Sequence, residues 1–106
     1  MAEKYRAIVN YHFKKDKRDE AIDFLNENLT KHAKEFGCHD IEFLSDEKNP
    51  EHIIGTGVWN SASEAKNFQT KWDTVEKELM KFCTEAPKRK LYKIETHWTE
   101  KGRKVA

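Results

Sequence analysis

Residues 52–65 read HIIGTGVWNSASEA, and a strand turns into a helix inside that run. His52 to Asn60 is rich in β-branched and aromatic residues and reads as a strand. Ser61-Ala62-Ser63-Glu64 is a capping box: the Ser61 hydroxyl can accept from the Glu64 amide, and the Glu64 carboxylate can reach back to the Ser61 amide. Beyond it, Ala65, Phe68, Trp72, Val75, Leu79 and Phe82 follow at steps of three and four. That spacing predicts a helix of ~20 residues with one apolar face, with Asp73-Thr74 as a place for a break. Pro87 ends it.

Working outward, Asp46 to Glu51 is a turn with Asn49-Pro50 as its breaker. Asp40 to Ser45 is a short strand carrying Ile41 and Phe43 on one face, so 40–60 forms an antiparallel hairpin. Upstream, Arg18 to Phe36 is a helix whose Ile22, Leu25, Leu29, Ala33 and Phe36 lie on one stripe, widened by Ala21 and Phe24. Asp16 can cap its start. Gly37 supplies the left-handed stop. Tyr5 to Phe13 is a strand with both faces partly apolar. Leu91 to Trp98 is the last strand, and the polar tail 99–106 is expected to fray.

The element order is therefore β-α-β-β-α-β. Right-handed crossovers around the central hairpin give a ferredoxin-like α+β fold: a four-stranded antiparallel sheet with both helices on one face. Residues 1–106 are expected to form one domain with its core in 5–98. Apolar residues occupy both parities of several strands, so the bare sheet face predicts a homodimer.

Twenty Lys+Arg against nineteen Asp+Glu leave a net charge of +1, which argues against nucleic acid as a partner. The basic runs 14–18 and 88–90 read as solvated loops. No apolar run marks a signal peptide or a membrane span. Cys38 and Cys83 read as reduced thiols in a cytoplasmic protein. The five histidines (12, 32, 39, 52 and 97) show no ligand spacing, so no metal is expected.

The run Thr56-Gly57-Val58-Trp59-Asn60-Ser61-Ala62-Ser63-Glu64-Ala65, with Gly37-Cys38 before the second strand, resembles the antibiotic biosynthesis monooxygenase family. The resemblance implies a homodimer whose two sheets form an α/β barrel with a pocket in each subunit. Some members are cofactor-independent monooxygenases of polycyclic phenols. Others degrade haem with an Asn on the first strand, a Trp ending the third and a His on the second helix. Asn10 and Trp59 match the first two, but 65–83 contains no His, so neither haem nor another cofactor is expected.

Trp59 is the leading candidate, since an indole at a strand end can stack on a flat ligand or pack under the second helix. Gly55 and Gly57 share its strand face and either leave room for a ligand or admit close packing. Asn10, mid-strand among apolar residues, could hold a substrate oxygen or satisfy a neighbour. His12 and His97 could act as bases or sit at a wet edge. Phe68 and Trp72, one turn apart, are core or a pocket wall. Neither cysteine has an adjacent base. Asn10 opposite Gly57 would place it on the face of Trp59, and Asn10 opposite Thr56 would separate them. The resemblance favours the shared face. Two functions follow: a cofactor-independent monooxygenase of a small aromatic or polycyclic substrate, catalysed through Asn10, Trp59 and His12, or a non-catalytic dimeric ligand-binding or stress-response barrel. A cavity lined by Trp59, Asn10 and a base would favour the enzyme.

Overall fold

The computed structural model describes residues 3–98 and 104–105; most of the expected tail, 99–103 and 106, lies outside the described residues. Tyr5–His12 (β1), His39–Ser45 (β2), His52–Trp59 (β3) and Lys88–Lys93 (β4) form one antiparallel sheet in the order β2-β3-β1-β4. With the two helices this is the expected ferredoxin-like α+β fold.

The first helix starts after a 3-10 turn at Lys15–Lys17, so Asp16 lies within that turn and caps nothing. It runs Arg18–Phe24, loosens into a π segment at Leu25–Thr30 and finishes as Lys31–Glu35. Gly37, at φ 101°, closes it: its N–H donates to the Lys34 carbonyl at 3.1 Å and the Cys38 N–H to Ala33 at 2.9 Å. Those two bonds are the Schellman pattern, and its left-handed residue favours glycine. A Cβ at position 37 would also sit 2.6 Å from Glu64 Oε2.

The second helix is Ala62–Leu79, continued by a 3-10 turn at Met80–Phe82. Ser61 Oγ accepts from the Glu64 amide at 3.1 Å, as the capping box requires. The reciprocal bond is not made; the Glu64 carboxylate lies against Gly37 instead, and its Oε1 has no partner. No break occurs at Asp73-Thr74. Asp73 Oδ1 accepts from Gln69 Nε2 at 2.6 Å, one turn back, so the carboxylate does not compete for the backbone.

The last strand differs from expectation. β4 begins three residues earlier, at Lys88, and ends at Lys93, opposite the first residue of β1. Beyond that point the Ile94 N–H still donates to the Lys4 carbonyl at 2.8 Å, and His97–Trp98 pairs with Lys104–Val105 in a separate two-stranded sheet. The basic run 88–90 is thus part of an edge strand, where lysines discourage pairing with another chain's strand.

Tyr11, Phe13, Leu25, Ile53 and Leu79 are fully buried between sheet and helices, with Ala21, Ala33, Phe68, Trp72 and Phe82 packed around them. No helix among the described residues is long and apolar enough to cross a membrane.

Candidate functional site

Register decides which residues meet. β1 pairs with β3 as Tyr5↔Trp59, Ala7↔Gly57, Val9↔Gly55 and Tyr11↔Ile53 on the helix side. The alternate pairs, Arg6↔Val58, Ile8↔Thr56, Asn10↔Ile54 and His12↔His52, face away from the helices. Asn10 and Trp59 therefore lie on opposite faces of the sheet, and the expected shared pocket for these two does not form.

On the helix side lies a cavity of about 270 Å³. Gly55, Gly57, Trp59, Phe68 and Trp72 all line it. Trp59 and Phe68 have ring centroids 5.4 Å apart, and Phe68 and Trp72 lie 6.0 Å apart and nearly parallel, at 16°. The three rings are 4%, 7% and 2% exposed, so this aromatic wall is desolvated. Strand β3 positions the first ring, and the 68/72 spacing places the other two one turn apart on the second helix.

The glycines serve close packing as well as the cavity. A Cβ on Gly57 would stand 2.6 Å from Cys38 Sγ, and one on Gly55 would stand 3.2 Å from the rings of both Tyr11 and Phe43. Cys38, Tyr11, Phe43 and Ile41 are wall residues that were not singled out from the sequence. Parity gives the signal for Tyr11, since it shares the face of Val9 and Ala7. Ile41 and Phe43, placed on one face of β2 by alternation, both reach the wall despite the bulge between His39 and Glu42 with Asp40 at φ 51°.

Burial pushes the Cys38 thiol up to about 11 and the Tyr11 phenol above its ordinary range, so both stay protonated at neutral pH. Arg89, another lining residue, is held at two points by Glu76, with Nη1–Oε2 at 3.0 Å. Lys66 and Gln69 also line the cavity. No imidazole and no carboxylate does so among the described residues. Haem would find no suitable axial donor here: the second helix carries no His, and Cys38 remains a thiol.

Asn10, His12 and His97 belong elsewhere. Asn10 Oδ1 accepts from His52 Nε2 at 2.7 Å. His12 stacks on His52 with centroids 4.4 Å apart, and its Nε2 lies 3.3 Å from Glu85 Oε1. His97 is exposed in the separate two-stranded sheet. Cys83 is buried in the core and its thiol too is pushed up to about 11 by burial.

The family profile of antibiotic biosynthesis monooxygenases matches residues 4–71. No curated protein matches the chain. Solved structures match its fold closely at low identity. A proposed antibiotic biosynthesis monooxygenase from Nitrosomonas europaea superposes with a TM-score of 0.77 at 16% identity, covering 90% of this chain and 93% of that one. A conserved protein from Methanosarcina mazei gives 0.75 at 16%, covering 86% and 92%. A monooxygenase from the ActVA-Orf6 gene of Streptomyces coelicolor, in complex with the ligand nanaomycin D, gives 0.75 at 8%, covering 92% and 93%.

Proposed function

The chain belongs to the antibiotic biosynthesis monooxygenase family, and from that premise we propose that it is a cofactor-independent monooxygenase for a small planar aromatic or polycyclic compound. The observation that carries this reading is the cavity of about 270 Å³ walled by Trp59, Phe68 and Trp72. Aromatic side chains lining an apolar cavity can stack on a flat ring placed against them. The reaction of this class turns a ring CH2 and one O2 into a ring carbonyl and one water. The substrate's own anion supplies the electrons. The protein's part is to hold the ring and exclude water, with Lys66 as a lining cation for the developing charge. Among the described residues the lining holds no imidazole or carboxylate, so the substrate loses its proton to water at the mouth. That restricts it to acidic ring systems such as hydroxylated anthrones.

The protein is proposed to work in the cytoplasm as a homodimer, with the whole chain as one domain. Support for the dimer comes from the sheet face turned away from the helices. It carries Ile8, Ile54, Leu44 and Tyr92, the last two 46% and 45% exposed. A second copy of the same face would cover them. Two unpaired thiols support a reducing compartment.

A second reading, a binding module without catalysis, is favoured by one observation: Asn10 and His12 face away from the cavity. Oxygen consumption with 1,8-dihydroxyanthrone separates the two. The enzyme gives uptake well above the protein-free rate, with one quinone formed per O2. Binding by fluorescence without any excess uptake would leave the module.

A further inference from the structure

β2 and β4 are the two edges of the sheet, and they carry opposite charge. Residues 39–47, β2 and the start of its turn, hold four carboxylates (Asp40, Glu42, Asp46 and Glu47) and no lysine or arginine. β4 holds three lysines and Arg89 and no carboxylate. The net charge of +1 conceals this polarity across the sheet. Ile41 and Phe43 line the cavity, so Glu42 between them faces away from the helices. On that far face the register sets Glu42 opposite Thr56, Thr56 opposite Ile8, and Ile8 opposite Lys90. Lys90 Nζ lies 5.3 Å from the centroid of the Tyr92 ring on the same face. Glu42 and Lys90 are both exposed, and neither makes an ion pair among the described residues.

A two-fold axis that lays this face on its own copy lies in the plane between the sheets. In aligned packing the axis runs nearly across the strands or nearly along them. Across the strands, β2 lies over the partner's β2 and β4 over its β4, so like charges meet at each edge. Along the strands, β2 lies over the partner's β4 and β3 over its β1, so opposite charges meet. The central strands carry Ile54 and Ile8 and are apolar in either arrangement, which leaves the edges to decide. We propose that the partner is a second copy laid with its β4 over β2, and that Glu42 of each chain pairs with Lys90 of the partner subunit at both margins of the interface. This rests on the homodimer reading and adds its orientation. Stacked sheets stand about 10 Å apart, which a glutamate and a lysine side chain span together. Charges at an interface rim fix orientation and exclude wrong pairings more than they add affinity.

Carbodiimide condenses a carboxylate with an amine that touches it, and peptide mass spectrometry then names the pair. Within one chain Glu42 and Lys90 stand three strand spacings apart, about 14 Å, too far for such a link. The unaltered protein should therefore give a Glu42–Lys90 cross-link in the covalent dimer alone, a readout that needs no variant. Glu42→Lys and Lys90→Glu should each raise the dimer dissociation constant about tenfold or more, read by sedimentation. Mixed in equal amounts, the two variants should associate as one chain of each, with a constant within about threefold of the unaltered value. A dimer that gives no such link, or that Glu42→Lys leaves unchanged, overturns the orientation and keeps the homodimer reading. An unaltered protein that stays monomeric at micromolar concentration overturns both.

Discussion

Strand β3 sends Ile53, Gly55, Gly57 and Trp59 toward the helices and Ile54, Thr56 and Val58 away from them, and the two sets live in different chemistry. The helix side meets Phe68, Trp72, Cys38 and Tyr11 in a desolvated cavity. The far side meets Asn10, the His12–His52 stack, Arg6 and the edge lysines Lys88 and Lys90. Alternation with period two sorts every residue of a strand, so one sheet presents an apolar pocket and a mixed polar surface from the same eight residues. The largest break in that contrast comes from the pocket side. Trp59→Ala should cost about 3–5 kcal/mol, read as a fall in the urea midpoint, because it removes a 4% exposed indole from the wall. A change under about 1 kcal/mol would mean that the wall repacks and Trp59 is no part of the core.

The far side answers a different measurement. Ile54→Lys should leave the monomer fold nearly intact, since the residue is only partly buried within one chain. It should weaken self-association at least ~100-fold, because a lysine buried without a partner is strongly disfavoured. Sedimentation at micromolar concentration should show twice the 12.6 kDa chain mass for the unaltered protein and the single mass for the variant. A monomer in both cases removes the dimer.

Much of the fold was legible because local signals agreed. The Ser61 cap, the 68/72/75/79 stripe and the Gly37 stop each announce themselves within a few residues. The members of the cavity from the second helix and from β3 followed from the same periodicities. What sequence could not supply was register. The pairing Asn10↔Ile54 lies three residues from the expected Asn10↔Gly57, and any odd slip exchanges the faces. Nothing local to either strand fixes that offset. The connection between β1 and the first helix and the hairpin at Asp46–Glu51 leave it to packing across the whole sheet. The early end of β4, opposite Tyr5, is legible only once its register against β1 is seen.

Both thiols lie on the helix side, Cys38 in the cavity wall and Cys83 in the core, and both are pushed up to about 11 by burial. In the unfolded chain a thiol ionises near its ordinary value of 9. Between about pH 9 and 11 the unfolded chain loses those protons while the folded chain keeps them, so stability falls as pH rises through that window. The loss should be on the order of 1 kcal/mol per thiol. Urea melts at stepped pH, compared with the Cys38→Ala/Cys83→Ala double variant, isolate it from lysine and tyrosine titration. Parallel slopes in the two proteins would mean the thiols are not desolvated.

The smallest expected effect is the most informative about the contrast between faces. Asn10 shares a strand with Val9 and Tyr11, both cavity residues, and a view that ignored parity would place it in the site. Its amide instead accepts from His52 Nε2 at 2.7 Å on the far face, beside Ile54 and Lys88. Asn10→Ala should therefore leave 1,8-dihydroxyanthrone affinity and oxygen uptake within about twofold of the unaltered protein, a difference of under about 0.5 kcal/mol. Its cost should appear only in stability, at about 1 kcal/mol for one partly buried hydrogen bond. The paired variant His52→Ala should then add little further loss, because the two side chains share that one bond and their effects are not additive. A tenfold loss of ligand affinity in Asn10→Ala alone would put Asn10 against the ligand. That outcome requires β1 to slide by an odd number of residues along β3, which would expel Tyr11 from the core where it is fully buried. The stability and binding measurements on this one variant thus test the register itself.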